Sequence, residues 1–199
     1  MRPLFFGLTT LTLLACGDST GPAGVPDSQL HIVVQDPLAP PLYAQQDTFW
    51  AHVGQDRELR MYYQGATPTQ TGDEFLRFEV PGSGLLRKPD GSPFQAIDSI
   101  LITITVVDPT KFLFQFEPTG LVFNPDQPAR LKALYVHANH DFNGDGVVDA
   151  QDAAIESVLD LWKRESPTDP WFKIGAVNFE NLNELDANIL SFTSYAIAW

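Results

Sequence analysis

The stretch Ser99-Ile100-Leu101-Ile102-Thr103-Ile104-Thr105-Val106-Val107 alternates aliphatic and hydroxyl side chains and is rich in β-branched residues. Because β-branched side chains suit a pleated, half-buried surface, it predicts a β-strand more strongly than any other part of the chain. Residues 111–116 follow after Asp108-Pro109-Thr110 and place three phenylalanines on one face of a second strand: Phe112, Phe114 and Phe116. The centre of the sequence therefore predicts two strands joined by a turn.

Similar short segments recur on both sides of this centre, separated by Pro and Gly turns. They are residues 30–34, 48–53, 58–63, 75–80, 130–137, 172–177 and 194–199. Segments 48–53 and 58–63 are expected to pair, since Gly54-Gln55-Asp56 lies between them. About nine strands at this spacing predict a mainly β fold, a β-sandwich spanning residues 30–199. With 199 residues, 44% of them hydrophobic, the chain can form one well-buried core.

One segment has helical periodicity instead. Residues 150–164 place four apolar side chains on one face, at helical spacing: Ile155, Val158, Leu159 and Trp162. Asp149 is a suitable N-cap, and Asp152 lies in the first turn, where the helix dipole favours negative charge. Together with the preceding loop, this helix is expected to form an insertion between two strands, at about residues 138–168.

The helix begins inside the sequence Asp141-Phe142-Asn143-Gly144-Asp145-Gly146-Val147-Val148-Asp149-Ala150-Gln151-Asp152. Oxygen-bearing side chains at positions 1, 3, 5, 9 and 12, with glycine at position 6, form the pattern of an EF-hand calcium loop. Ca²⁺ takes six to eight hard oxygen ligands, so a short loop must fold around it. The expected ligands are Asp141, Asn143, Asp145, the Val147 carbonyl, Asp149 and Asp152.

Two alternatives remain open for this loop. Asp, Asn and Gly are common in turns, so the segment also fits an acidic surface turn that binds no ion. Asp152 is one methylene shorter than the Glu usual at position 12, which leaves the affinity open and allows Mg²⁺ to compete. No entering helix precedes the loop, because residues 131–135 have a strand pattern.

Two family resemblances follow from these motifs. The loop at 141–152 resembles dockerin-type as well as EF-hand calcium loops, although it occurs once and dockerins carry a duplicated module. Residues 76–135 resemble the ZU-type β-sandwich of ankyrins and netrin receptors, in the segments 78–84, 102–106, 116–123 and 128–131, and residues 192–199 resemble its last strand. This resemblance implies a role in protein contacts and domain closure. Some relatives cleave themselves at His-Phe-Ser, whereas Ser191-Phe192-Thr193-Ser194 lacks the histidine.

The N-terminus has the features of a targeting segment. Arg2 precedes an apolar run at residues 4–14, too short to span a bilayer as a mature helix. The run ends in Leu13-Leu14-Ala15-Cys16, which resembles the bacterial lipobox, with residues 1–15 as the signal peptide and Cys16 as the lipidated residue. Cys16 is the one cysteine in the sequence. An ordinary secretory signal with an incidental cysteine is the alternative. Residues 16–29 are expected to form the lipid anchor and a flexible tether.

This resemblance implies a protein anchored in the bacterial cell envelope. Gly17 follows the cysteine, as in lipoproteins sorted to an outer membrane. The domain would then face either the periplasm or the outside. The composition agrees with an exported protein. Twelve basic and 25 acidic residues give a net charge of −13, which argues against nucleic acid and anionic lipid surfaces as partners.

No sequence pattern of a catalytic site stands out. Neither a His-Glu-x-x-His zinc motif nor a Gly-x-Ser-x-Gly elbow occurs. His137 and His140 could border a metal site, but the preferred interpretation is that His137 ends a strand and His140 is a solvated loop residue. Five aromatic residues could form a sugar-stacking platform, although core or edge packing is the preferred interpretation: Trp50, Tyr62, Tyr63, Trp171 and Trp199.

The expected function is therefore non-catalytic: a lipid-anchored envelope β-sandwich with a structural Ca²⁺ site that serves as a structural or protein-interaction module. A carbohydrate- or peptide-binding module is the alternative, and a hydrolase with an unrecognised site is a further one. The partner would be an envelope protein or polysaccharide.

Overall fold

The computed structural model describes residues 24–199, which form a mainly antiparallel β structure. One α-helix, α1, spans Ala150–Glu156, and 3₁₀ turns occupy Asp27–Gln29 and Glu180–Leu182. The thirteen strands are β1 Gln46–His52, β2 Arg57–Gln64, β3 Thr71–Val80, β4 Leu85–Arg87, β5 Ser99–Val106, β6 Leu113–Glu117, β7 Val122–Phe123, β8 Ala129–Leu134, β9 Asp160–Arg164, β10 Phe172–Lys173, β11 Val177–Phe179, β12 Glu184–Ile189 and β13 Ser194–Ala198.

The strands form two large sheets and one small one. The six-stranded sheet has the order β1-β5-β6-β13-β9-β10, the five-stranded sheet has the order β11-β12-β8-β3-β2, and β4 pairs with β7. The inward faces of the two large sheets share one hydrophobic core. This arrangement confirms the predicted mainly β fold of β-sandwich type, with more strands than the nine expected.

Aromatic side chains fill the centre of the sandwich. Phe112, Phe114 and Phe116 are fully buried, as the alternation of that segment predicts. The Phe116 ring lies 5.2 Å from Phe78 of the opposite sheet and 5.4 Å from Phe192, measured between ring centroids. Because phenylalanine offers a large apolar surface and no polar atom, this cluster joins the two sheets without needing hydrogen-bond partners.

The helix predicted for residues 150–164 is wrong in its second half. α1 ends at Glu156, and Asp160–Arg164 forms β9, which pairs with β13 on one side and β10 on the other. Leu161 and Trp162 are both buried, because Leu161 lies in the sandwich core and Trp162 lies under the N-terminal segment on the opposite face. A strand buried on both faces loses its alternating pattern, and its apolar residues then also match helical spacing.

Two further strand predictions differ from the structure. β1 pairs with β5 and β2 pairs with β3, so the expected pairing of segments 48–53 and 58–63 is wrong. The four-residue link between β1 and β2, residues 53–56, crosses from one sheet to the other. Residues 30–34 form isolated bridges, Ile32 to Ala198 and Val34 to Lys111, and not a regular strand.

The folded part of the chain begins before Leu30. Val25 pairs with Trp171, and Leu30 packs against the outer face of the six-stranded sheet beside Trp162. Residues 24–29, assigned to the tether from the sequence, therefore belong to the domain. Cys16 and the predicted signal peptide 1–15 lie outside the described residues. In the part of the chain described here, no helix combines the length and apolar composition needed to cross a membrane.

Candidate functional site

The candidate calcium loop leaves the sandwich after β8 and returns to it through α1. Its turn rests on two glycines with left-handed backbone angles, Gly144 at φ +75° and Gly146 at φ +89°. A Cβ atom at either glycine would meet no atom within 4 Å, so glycine is favoured there for its backbone conformation and not for space. This agrees with the role predicted for Gly146.

The Asp141 carboxylate lies at the centre of the turn. Its Oδ1 accepts hydrogen bonds from the backbone N–H groups of Gly144 and Asp145 at 2.9 and 3.0 Å, and its Oδ2 accepts one from Gly146 at 2.8 Å. An ionised carboxylate has about four lone-pair positions. Three are used by the loop, so Asp141 retains capacity for one further electropositive partner.

The next two candidate ligands follow the same local pattern. Asn143 Oδ1 accepts from the backbone of Asp145 at 2.9 Å, and Asp145 Oδ1 accepts from the backbone of Val147 at 2.9 Å. The Asn143 amide also donates to Asp145 Oδ2 at 3.2 Å. These turns hold the side-chain oxygens on the exposed side of the loop, where Val147 itself is 59% exposed.

The last two candidate ligands cap the helix. Asp149 is the N-cap, as predicted, and accepts from Gln151 N–H at 2.7 Å. Asp152 accepts from the backbone N–H groups of Asn143 at 3.0 Å and Asp149 at 2.9 Å, which completes a capping box. These donors, Asp149 first, hold the pKa of Asp152 below its ordinary value of 3.8.

Asp152 is 2% exposed and joins the first turn of the loop to the first turn of the helix. The loop and α1 thus form one hydrogen-bonded unit. The unit is attached to the sandwich by Phe142, whose ring lies 5.9 Å from Trp199, and by Asn178, whose amide donates to the Glu156 carbonyl at 2.7 Å. The sequence pattern does not single out Phe142, although it is the one aromatic residue of the loop.

The chemistry of these side chains fits a hard cation, but their arrangement is not a closed shell. Asp, Asn and a backbone carbonyl supply the oxygen ligands that Ca²⁺ prefers. Across residues 24–199, however, no three side chains of the Asp, Glu, His or Cys types are grouped so that they could hold a metal ion. Binding would therefore require the candidate side chains to come closer together.

The two histidines near the loop lie apart from its carboxylates. His137 Nε2 lies 2.9 Å from Asp73 Oδ2, and its ring meets Tyr63 edge-on at 4.5 Å. His140 Nδ1 lies 3.9 Å from Glu156. The expected place of His137 at a strand end is wrong, because β8 ends at Leu134 and His137 lies in the turn that follows. His140 lies in the loop segment as expected, and its ring also meets Phe142 edge-on at 5.6 Å.

The five aromatic residues considered for sugar binding are scattered over the molecule. Tyr63 and Trp171 are fully buried, and Trp199 stacks on His31 with ring centroids 5.3 Å apart. Tyr62 lies on β2 in the five-stranded sheet, whereas Trp50 is 54% exposed on β1 of the other sheet. They do not form a common platform.

Surface cavities are open to solvent. A cavity of about 340 Å³ borders the start of the loop and is lined by residues that include His137 and His140. One of about 490 Å³ is lined by residues around the β2 and β3 ends, including Asp56, Glu58 and Pro81. Another of about 480 Å³ lies among the prolines of residues 37–41 and Pro109. Neither contains a candidate calcium ligand.

No protein-family model matches this chain, and comparisons with curated proteins and with solved structures give no significant match.

Proposed function

We propose that this protein is a non-catalytic interaction module of the bacterial cell envelope, a β-sandwich stabilised by one Ca²⁺ and held to a membrane by a lipid on Cys16. The observation that supports the calcium site is the geometry of residues 141–152. Asp141 orders three successive backbone amides around itself, and Asp152 ties that turn to the start of α1.

Ca²⁺ would be held by Asp141, Asn143, Asp145, the Val147 carbonyl, Asp149 and Asp152. Its charge would offset the repulsion among four carboxylates in a protein of net charge −13. An ion that binds the folded loop and not the unfolded chain adds its binding free energy to stability. Its role here is structural, because Phe142 and Asn178 connect the loop unit to the sandwich core.

The non-catalytic assignment rests on the sequence and on the resemblance to ZU-type domains, whose roles are protein contacts. The scattered aromatic residues remove the support for a sugar-stacking platform. The interaction module is therefore the better candidate of the alternatives considered.

Thermal melts in Ca²⁺, in Mg²⁺ and in chelator test the calcium site. We expect a rise in Tm specific to Ca²⁺, which an Asp141→Ala, Asp145→Ala double variant loses. The matched control is Asp126→Ala, Glu165→Ala, which removes the same two negative charges from exposed positions elsewhere. Equal Tm values in Ca²⁺ and chelator, or a rise that the loop variant retains, would contradict the calcium site.

Detergent phase partitioning of the protein produced in a bacterial host tests the anchor separately. The full chain should enter the detergent phase, and Cys16→Ala should remain in the aqueous phase. If both partition alike, Cys16 does not carry the anchor. This result is independent of calcium.

A further inference from the structure

We infer that β1 is a docking edge for a second copy of this chain, which adds its own β1 in antiparallel orientation and joins the two six-stranded sheets. This inference identifies an interaction surface and a partner for the proposed interaction module, and so it rests on the proposed function. It does not depend on the calcium site.

The register of β1 shows which backbone groups face outward. Gln45 O accepts from Val106 N–H, and Val53 N–H donates to Asp98 O. Since residues in an antiparallel pair alternate between bonded and non-bonded positions, odd-numbered β1 residues bond to β5 and even-numbered ones point away from it. The N–H and C=O groups of Gln46, Thr48 and Trp50 therefore line the outer edge.

These groups have no backbone partner among residues 24–199. The Thr48 N–H is bonded only to the neighbouring Asp47 carboxylate, at 2.7 Å. β1 also has no proline, lysine or bulge, the devices that commonly block an edge strand. Within β1, Asp47 is the one side chain that opposes pairing.

The other three edges of the two large sheets are protected. β2 is covered at one end by residues 41–43 and contains bulges. β10 is two residues long and is followed along the same edge by the Val25 to Trp171 bridge. β11 is three residues long and runs into a 3₁₀ turn. β1 is thus the long, regular and uncovered edge of the described structure.

The chain's own N-terminal segment is a poor candidate to cover β1. Gly24 lies against Pro170 and Phe172, beside β10, which is the opposite edge of the same sheet. Crossing from β10 to β1 takes five strand spacings, about 24 Å. With the predicted signal peptide removed, residues 16–23 extend at most about 28 Å, so little would remain to pair with β1.

The sequence of β1 is compatible with itself across a two-fold axis. Placing Phe49 opposite the partner's Phe49 brings all seven residues into register and sets each Thr48 opposite the partner's Trp50. Asp47 then faces the partner's Ala51, so no like charges meet. The pairing would also cover the half-exposed Trp50. A lipid anchor would raise the effective concentration of the two copies, so a weak contact would suffice.

Sedimentation equilibrium over a concentration series, in both chelator and Ca²⁺, tests this inference. We expect a monomer–dimer equilibrium in either condition, so loss of the calcium effect leaves the result intact. Thr48→Pro removes an edge donor that the monomer's ladder does not use and should abolish the dimer. Thr48→Ala keeps that donor and should retain the dimer. Asp47→Ala should tighten it, because it removes the carboxylate that occupies the Thr48 N–H.

Hydrogen exchange gives a second readout. The Trp50 amide should exchange rapidly in dilute protein and become protected as the dimer forms. If Thr48→Pro misfolds, by circular dichroism, Thr48→Lys serves as the disrupting variant. A wild-type chain that stays monomeric up to its solubility limit would overturn the inference. So would a dimer that survives both disrupting variants.

Discussion

At the scale of single residues, Asp152 connects the loop to the helix, and this connection depends on its charge. The pKa of its carboxyl is lowered by donors from Asp149 and Asn143, so the ionised form is favoured in the folded state. Because the folded pKa is depressed, the resulting stabilisation is present above the ordinary carboxyl range and is lost as the pH falls through the lowered value. We expect Tm to fall as the pH drops below about 5, and Asp152→Asn to reduce that fall.

The measurement is a set of melts in chelator across this pH range. Asp126→Asn is the matched control, since it makes the same change at an exposed position. An Asp152→Asn variant whose Tm falls with pH as steeply as the wild type would show that the capping carboxylate does not contribute to acid sensitivity.

The sequence predicts the local roles of individual residues in this loop, but not the contacts that attach the loop to the sandwich. Asp149 as N-cap and Gly146 as a turn residue follow from local backbone chemistry, so the spacing of the motif predicts them. Phe142 and its contact with Trp199 depend on two segments far apart in sequence meeting in space. No local pattern reports such a contact.

At the scale of elements, the segment before Leu30 acts as a strap on the six-stranded sheet. Asp27 Oδ1 accepts from Arg164 Nη1 at 2.8 Å and from Trp171 Nε1 at 2.9 Å. The Arg164 guanidinium also lies over the Trp171 ring, 4.5 Å from its centroid. Asp27→Ala would leave the indole donor of a buried Trp171 without this acceptor, at a cost of about 1 kcal/mol after allowing for the exposure of Asp27.

Urea unfolding measures this cost. Asp27→Asn keeps an acceptor for Trp171 and should lose less stability than Asp27→Ala. A change in Asp27→Ala indistinguishable from zero would mean that the strap is held by Val25 and Leu30 alone.

The elements that the sequence predicted well are those with one buried face. β5 and β6 alternate clearly because their outer sides meet solvent. β9 was assigned to a helix because both of its faces are covered, one by the core and one by the strap. β12 was missed although Leu185, Ala187 and Ile189 alternate with polar residues, so its signal was present in the sequence.

At the scale of the whole molecule, the excess of negative charge destabilises the folded chain. The chain carries 25 acidic and 12 basic residues. Several of the basic side chains are engaged on the outer face of the five-stranded sheet, where Arg77 pairs with Glu74 at 2.8 Å and Lys132 pairs with Glu184 at 2.8 Å. Each such exposed ion pair contributes little to the free energy of unfolding. The remaining negative charges repel one another more strongly in the folded chain than in the expanded one.

Monovalent salt should therefore stabilise the protein. At about 0.15 M ionic strength the screening length is about 8 Å, which weakens long-range repulsion more than the close ion pairs. We expect a gain of about 1 kcal/mol from low to physiological KCl, or roughly 2–4 °C in Tm for a chain of this size. The melts are run in chelator, so that a bound divalent ion does not contribute. A Tm that falls with KCl would mean that the ion pairs on the five-stranded sheet outweigh the repulsion; Arg77→Gln, which breaks the Glu74 pair, should then reduce that fall.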